Sequence, residues 1–287
     1  MEHQSEASSG MKQDLSESIK LATKEVHEIA ENTEFMRSFQ KGNVNLEEFK
    51  LVLSSLYHIY TALEEEIERN KSHPAFAPLY FPAELHRVAA LEADLKYYYG
   101  NSWKSCISAP LATEQYVARI HEVGKLHPEL LVSHSYTRYL GDLSGGQVLK
   151  KIAQKALNLP PSGEGLAFFN FSNVSNAAKF KQLYRARMNT LEMNEETRQK
   201  VLQEAVEAFM LNVKVFEALQ ELSNASSKKK SDNKDLRQRQ KHTTSEAKKT
   251  NHYKSSETSL SSPFPSLRLV FVTLFAVATV VIGIYIL

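Results

Sequence analysis

Along most of the chain an apolar residue recurs every three or four positions, with polar residues between. Phe49, Leu53, Leu56, Tyr60, Leu63 and Ile67 keep this spacing, and the acidic Glu64, Glu65 and Glu66 stand near its end. That is one face of a long amphipathic helix. Ile19, Ala22, Val26, Ile29 and Ala30 make another, which Asp14 and Glu17 should open as an N-cap pair. The same spacing predicts helices over Ala83 to Tyr99, Leu111 to Val123, Pro128 to Leu157, Val174 to Leu191 and Glu195 to Leu222. In the last, Val201, Ala205, Ala208, Val213, Phe216 and Leu219 form the stripe. No sustained alternation of period two is present, so strands are not expected. Proline- and glycine-rich stretches place loops at Ser72 to Pro82, Gly100 to Pro110 and Leu159 to Gly165, and Phe168, Phe169 and Phe171 read as a packed loop. The expected class is all-α, a single multi-helix domain over residues 12–222 preceded by a disordered N-terminus over residues 1–11.

Charge and composition change this picture towards the C-terminus. From Ser223 to Arg268 there are eleven lysines and arginines against four acids, in a stretch rich in Ser, Thr and Asn. With no apolar period it buries too little surface to offset its ordering entropy, and a disordered basic linker is expected over residues 223–266. The Lys228, Lys229, Lys230 run is read as part of that solvated linker rather than as a nuclear address. Leu269 to Leu287 is nineteen residues without a charge. At about 1.5 Å per residue this nearly crosses a hydrocarbon core of about 30 Å, so residues 267–287 are expected to anchor the chain in a membrane. Met1 to Lys12 carries no apolar segment of the secretory kind, which leaves the helical domain on the cytoplasmic side, where the basic flank ending at Arg268 also belongs. The formal charge of +2 argues against a nucleic-acid partner, and a single cysteine, Cys106, excludes an intrachain disulfide or a thiolate zinc site.

Ten histidines invite a metal centre, but none follows a glutamate by three residues and no His-Glu-x-x-His occurs, which removes the di-iron and zincin patterns. Gly141 to Gly146 has the glycine spacing of a phosphate loop, yet Gln147 and Val148 stand where Lys and Ser or Thr are required. No flavin or nicotinamide pattern is present. Three glycines, Gly141, Gly145 and Gly146, remain inside a helical pattern, where each costs about 1 kcal/mol relative to alanine. A kink, a close helix contact and a backbone lying against a flat ligand each explain them. Asp142 among them either bonds local backbone or holds ordered water. His27 and Glu31 share a helix face, either as a surface hydrogen bond or as a carboxylate orienting an imidazole towards a metal, and Lys20 and Lys24 lie on neighbouring turns. Lys179, Lys181, Arg185 and Arg187 form a second basic cluster whose simplest reading is a solvated face.

Taken together, Tyr136-Thr-Arg-Tyr-Leu-Gly-Asp-Leu-Ser-Gly-Gly-Gln147 resembles the signature segment of the heme oxygenases. Thr23-Lys-Glu-Val-His27, Tyr57-His-Ile-Tyr60, Glu64 to Lys71 and Phe180-Lys-Gln-Leu-Tyr-Arg185 resemble that family in the same order, over about residues 14 to 222. The Cys-Pro motifs that mark one of the family's two mammalian forms are missing, since Cys106 is followed by Ile107. The resemblance implies that heme is both substrate and cofactor, opened at the alpha-meso carbon to biliverdin, carbon monoxide and ferrous iron. It implies that His27 is the axial iron ligand with Glu31 behind it, and that heme lies between this helix and the glycine-kinked one. Gly141, Gly145 and Gly146 then become the distal wall, and Asp142 anchors the water network that delivers a proton to iron-bound oxygen. Lys20, Lys24, Lys181, Arg185 and Tyr136 meet the propionates, while Phe209, Asn212 and Phe216 line the pocket. Electrons would come from NADPH–cytochrome P450 reductase on the endoplasmic reticulum membrane, with biliverdin reductase downstream and self-association through the anchor as further expectations. A heme sensor that does not turn over and a helical scaffold whose glycines merely pack are the rival readings.

Overall fold

A computed structural model describes residues 13–246, so the expected N-terminal tail, the end of the linker and the anchor Leu269 to Leu287 lie outside the described residues. Among the described residues every regular element is helical. The helices are α1 (Leu15–Ala22), α2 (Lys24–Glu31), α3 (Glu34–Gln40), α4 (Leu46–Arg69), α5 (Pro82–Leu85), α6 (Val88–Tyr99), α7 (Trp103–Cys106), α8 (Leu111–Leu126), α9 (Leu131–Ser135), α10 (Gly145–Ala156), α11 (Ala177–Asn189) and α12 (Glu195–Glu246). Among them none is long and apolar enough to cross a membrane.

The centre is α4, whose start is fixed by a capping box: Asn45 Oδ1 accepts from the Glu48 amide at 3.1 Å, and the Glu48 carboxylate accepts from the Asn45 amide at 2.8 Å. Phe49, Leu53, Tyr60 and Leu63 are fully buried along it, as the stripe predicts, and α6, α8 and α9 pack around it. α1 lies on α11, and α10 on α3. The aromatic segment coils into a short 3-10 turn, Ala167–Phe169, against α6, where Asp94 accepts from the amides of Ala167 and Phe168 at 2.7 and 2.8 Å.

Several expectations differ from the structure. The first helix is two, divided at Thr23, whose amide and hydroxyl both donate to the Ile19 carbonyl, at 2.9 and 2.8 Å. Asp14 makes no side-chain cap; its carbonyl accepts from the Ser18 amide and hydroxyl at 3.0 and 3.1 Å, and Ile29 is exposed rather than buried. The pattern from Ala83 breaks at His86 and Arg87, where the Glu64 carboxylate of α4 accepts from the amides of Arg87 and Val88 and so caps α6 from another helix. The stretch from Pro128 is a 3-10 turn, α9, a π turn over Tyr136–Leu140 and, after a break at Ser144, α10. Finally, α12 continues to Glu246 through residues assigned to the disordered linker. The lysines, arginines and glutamines there are compatible with helix locally without supplying the apolar stripe that signals one. The compact unit holding the domain ends at Ser223.

Candidate active site

The break between the π turn and α10 puts glycine where space is free. A methyl group on Gly141 or Gly145 meets nothing within 4 Å, whereas one on Gly146 meets Asp142 Cβ at 3.4 Å and Phe169 at 3.7 Å. A methyl on Gly146 would thus make only ordinary van der Waals contact, and close helix packing demands glycine at none of the three. Ser144, between them, has φ −111° and ψ −90° and bonds the Leu140 carbonyl at 2.8 Å.

Asp142 points inward from this break. Its carboxylate accepts from the Tyr60 hydroxyl and lies 3.4 Å from Arg138 Nη2. Arg138 also donates to Asn212 Oδ1 at 2.6 Å, and Asn212 donates to the Ala208 carbonyl at 2.7 Å and to the Tyr116 hydroxyl at 3.4 Å. Burial raises the pKa of Asp142, against the opposing pull of Arg138 and Tyr60. Burial and then the Asp142 charge push Tyr60 well above the ordinary tyrosine range. Burial works against the Arg138 charge, but Asp142 and the two tyrosines outweigh it and keep the guanidinium charged. Gln147 joins the break to the aromatic turn, donating to the carbonyls of Asp142 at 3.2 Å and Phe169 at 2.9 Å. The result is a buried carboxylate that accepts from Tyr60 and lies close to Arg138, with open space in front of the neighbouring backbone of Gly141 and Gly145.

His27 sits on α2, its side chain 27% exposed and its ring edge-on to Phe209 at 5.3 Å. Glu31 Oε1 is 3.7 Å from His27 Nε2, so the two make an ion-pair-range contact rather than the expected hydrogen bond; Glu31 is half exposed and free to be solvated. Phe216 stacks on Phe35 at 6.3 Å, a core contact.

Of the basic residues, Lys181 is buried and donates to Ser144 Oγ at 2.7 Å, which ties α11 to the helix break. Burial, then the neighbouring Arg185 charge, lowers its pKa. Tyr136 is buried too; burial raises its pKa, and a hydrogen bond from Arg185 opposes this. Arg185 Nη2 is a buried donor without a hydrogen-bond partner among the described residues. Tyr136, Lys181 and Arg185 thus form one cluster, and Lys20, half buried on α1, belongs to the helix that packs on α11. Lys24, Lys179 and Arg187 are exposed.

Residue patterns alone passed over Tyr60, Tyr116, Arg138 and Gln147. Tyr60 reads as one more apolar position of α4, and Tyr116 sits on α8 with no local sign of its partner. Arg138 did carry a signal, since it stands four residues before Asp142 and so on the same helix face.

The chain belongs to the heme oxygenase family, whose model matches residues 13–218. It is 69% identical to heme oxygenase 1 of Gallus gallus over 216 residues, 75% of this chain and 73% of that protein. It is 60% identical to heme oxygenase 1 of Rattus norvegicus over 282 residues, 96% of each. A solved heme oxygenase-1 from the cyanobacterium Synechocystis, in complex with heme, superposes with a TM-score of 0.72 at 40% identity, covering 77% of this chain and 99% of that one.

Proposed function

We propose that this chain opens heme at the alpha-meso carbon to biliverdin, carbon monoxide and ferrous iron, taking electrons from NADPH–cytochrome P450 reductase. The observation that carries the reading is the pair of glycines, Gly141 and Gly145, with free space before their backbone and the buried Asp142–Tyr60–Arg138 group immediately behind it. Open backbone beside a proton-holding carboxylate suits a flat substrate that must receive protons, and a packing helix needs neither. Heme is the substrate, and its iron, once bound, activates dioxygen beside the porphyrin carbon that is cleaved. The residues present fit it: His27 offers an accessible imidazole with Phe209 at its edge, and the unsatisfied Arg185 Nη2 is a donor suited to an anionic propionate.

Each side chain then has a distinct task. His27 would hold the heme iron, and Glu31, 3.7 Å from its Nε2, would help to orient the ring. Arg185, Tyr136, Lys20 and Lys181 hold the propionate edge, and Lys181 fixes the helix break through Ser144. Gly141 and Gly145 admit the substrate plane and leave room on one meso edge, so regiospecificity is steric. Asp142 holds a proton at its carboxylate, with Tyr60 and Arg138 fixing the rotamer, and releases it through ordered water. The electrons come from outside, because the sequence carries no flavin or nicotinamide pattern. A membrane anchor over residues 267–287, on the cytoplasmic face of the endoplasmic reticulum, would keep the domain beside the reductase and raise their encounter frequency, and could support self-association. Biliverdin reductase would consume the product.

The test is the spectrum of the heme-reconstituted chain and of its His27→Ala variant. The wild-type chain is expected to give a histidine-ligated Soret band that decays once NADPH and the reductase are added, and the variant to lose that ligation. A Soret band identical in both would contradict the placement of the ligand.

A further inference from the structure

Phe209 and Phe216 lie two turns apart on α12, and packing treats them differently. Phe216 packs against the hydrophobic core and stacks on Phe35, whereas Phe209 is half-buried and stands outside that core. The one ring it meets among the described residues is that of His27, edge-on, with centroids 5.3 Å apart and planes at 74°. An aromatic side chain left at the rim of a core, in the edge contact that rings prefer, is placed to act on its partner rather than to fill the interior. His27 needs such a contact. Its backbone is fixed, since α2 buries Val26 and Ala30 and the His27 amide donates to the Thr23 carbonyl at 2.9 Å. Its ring plane is not, because the torsion that turns an imidazole has broad preferences of its own. Glu31, half exposed and 3.7 Å from Nε2, approaches one nitrogen and restrains that rotation weakly. The Phe209 ring occupies space into which the imidazole would have to swing.

We propose that Phe209 is a positioning residue that sets the plane of the His27 imidazole as an iron ligand. The proposal rests on the heme oxygenase reading of the site. The plane of an axial imidazole decides the direction in which its π electrons meet the metal, so a ligand that turned freely would lose that preference. Phe209 can serve as a stop because its own turn of α12 is held on both sides. Ala205 and Ala208 are fully buried, and Asn212, one turn on, donates to the Ala208 carbonyl at 2.7 Å and accepts from Arg138 at 2.6 Å. Phe209 and Asn212, three residues apart, share a helix face. One turn of α12 thus touches both halves of the site, Phe209 against the ring on α2 and Asn212 against the guanidinium that lies beside Asp142.

The experiment uses the full chain at one fixed pH, first without heme. Proton NMR is expected to show the His27 ring resonances displaced by the Phe209 ring current; Phe209→Ala and Phe209→Leu should abolish the displacement, and Phe209→Tyr should keep it. The heme-loaded ferric chain with azide added is then expected to give a single set of low-spin g values in electron paramagnetic resonance, because one imidazole plane is populated. Phe209→Ala and Phe209→Leu should broaden that set or split it into several, Phe209→Tyr should restore it, and Glu31→Gln should disturb it less than either. Leucine keeps apolar bulk without a flat ring, so a loss shared by alanine and leucine and rescued by tyrosine is not a packing effect. One unchanged set of g values in both Phe209→Ala and Phe209→Leu, or wider scatter in Glu31→Gln than in Phe209→Ala, would overturn the assignment. A wild-type heme complex without histidine ligation would instead overturn the functional reading of His27. The heme-free displacement is independent of that result, and its absence from the wild-type chain would by itself overturn the role of Phe209.

Discussion

Gly141 and Gly146 are five residues apart, and a methyl group meets open space at the first and ordinary van der Waals contact at the second. In Gly141→Ala the added carbon meets open space, so the variant should be as stable as the wild type or up to about 1 kcal/mol more stable, while heme affinity or turnover falls at least tenfold. A denaturation midpoint and a heme titration on the same preparation check this; lost stability with intact heme binding would return Gly141 to a packing role. Gly124 is the opposite case. A methyl there runs into the Glu66 side chain, at 2.6 Å from its Cβ and Cγ, and Glu66 is itself held by His121 at 2.7 Å and Arg69 at 3.2 Å. Gly124→Ala should cost about 1–3 kcal/mol in urea unfolding without altering the heme spectrum, and an unchanged midpoint would show that Glu66 can yield. Asp142→Ala removes the proton-holding carboxylate but not the heme contacts, so heme should bind as before and biliverdin yield should fall sharply; an undiminished yield would end its assigned role. At this scale the sequence was informative where residues are neighbours along the chain, as in Arg138 with Asp142. It was silent where partners meet across helices, because a fully buried tyrosine such as Tyr60 keeps the same period as a leucine.

Helices were legible wherever an apolar face ran for several turns, as along α4 and α8. What the pattern could not reveal was where a continuous stripe is cut. The first helix divides at Thr23, whose hydroxyl bonds back to Ile19, and the next pattern is cut at His86–Arg87, where a glutamate from another helix caps α6; neither feature disturbs the apolar period. The π turn at Tyr136–Leu140, which holds Arg138 and ends just before Asp142, likewise leaves the composition unchanged. One joint between helices carries its own prediction. Glu204 of α12 accepts from Arg119 of α8 at 3.0 Å and pairs with the buried His134 of α9 at 2.8 Å. Burial alone would raise its pKa, but the hydrogen bonds from His134 and Arg119 bring it down to about 2. A carboxylate held below its unfolded value of about 4.3 stabilises the fold above that pH, and the contribution is lost as pH falls towards 2. Glu204→Gln should therefore cost about 3–5 kcal/mol at pH 7, and the gap to wild type should narrow steadily on acidification below pH 4. A gap independent of pH would mean that packing, not the charge, holds this joint.

The molecule as a whole combines a helical domain of the heme oxygenase family with a basic segment and a charge-free C-terminal stretch. The proposed site belongs to this scale, because no single helix contains it: α2 would bring His27, α4 Tyr60, the π turn and the residues after it Arg138 and Asp142, α11 Lys181 and Arg185, and α12 Asn212 and Phe209. The signature segment drew attention to Asp142 and its glycines from the sequence. The basic residues proposed to meet the propionates stood out only once the family was recognised, since lysines and arginines at helical spacing are ordinarily solvent-facing, and burial of Lys181 cannot be foreseen from its neighbours. The central claim is that this chain cleaves heme and that its glycine-lined face chooses one carbon. Chromatographic analysis of the biliverdin formed by the heme-loaded chain with NADPH and the reductase tests it directly. A single isomer, opened at the alpha-meso carbon, is the predicted result; a mixture of isomers would contradict steric selection by Gly141 and Gly145, and heme recovered intact would contradict the activity itself.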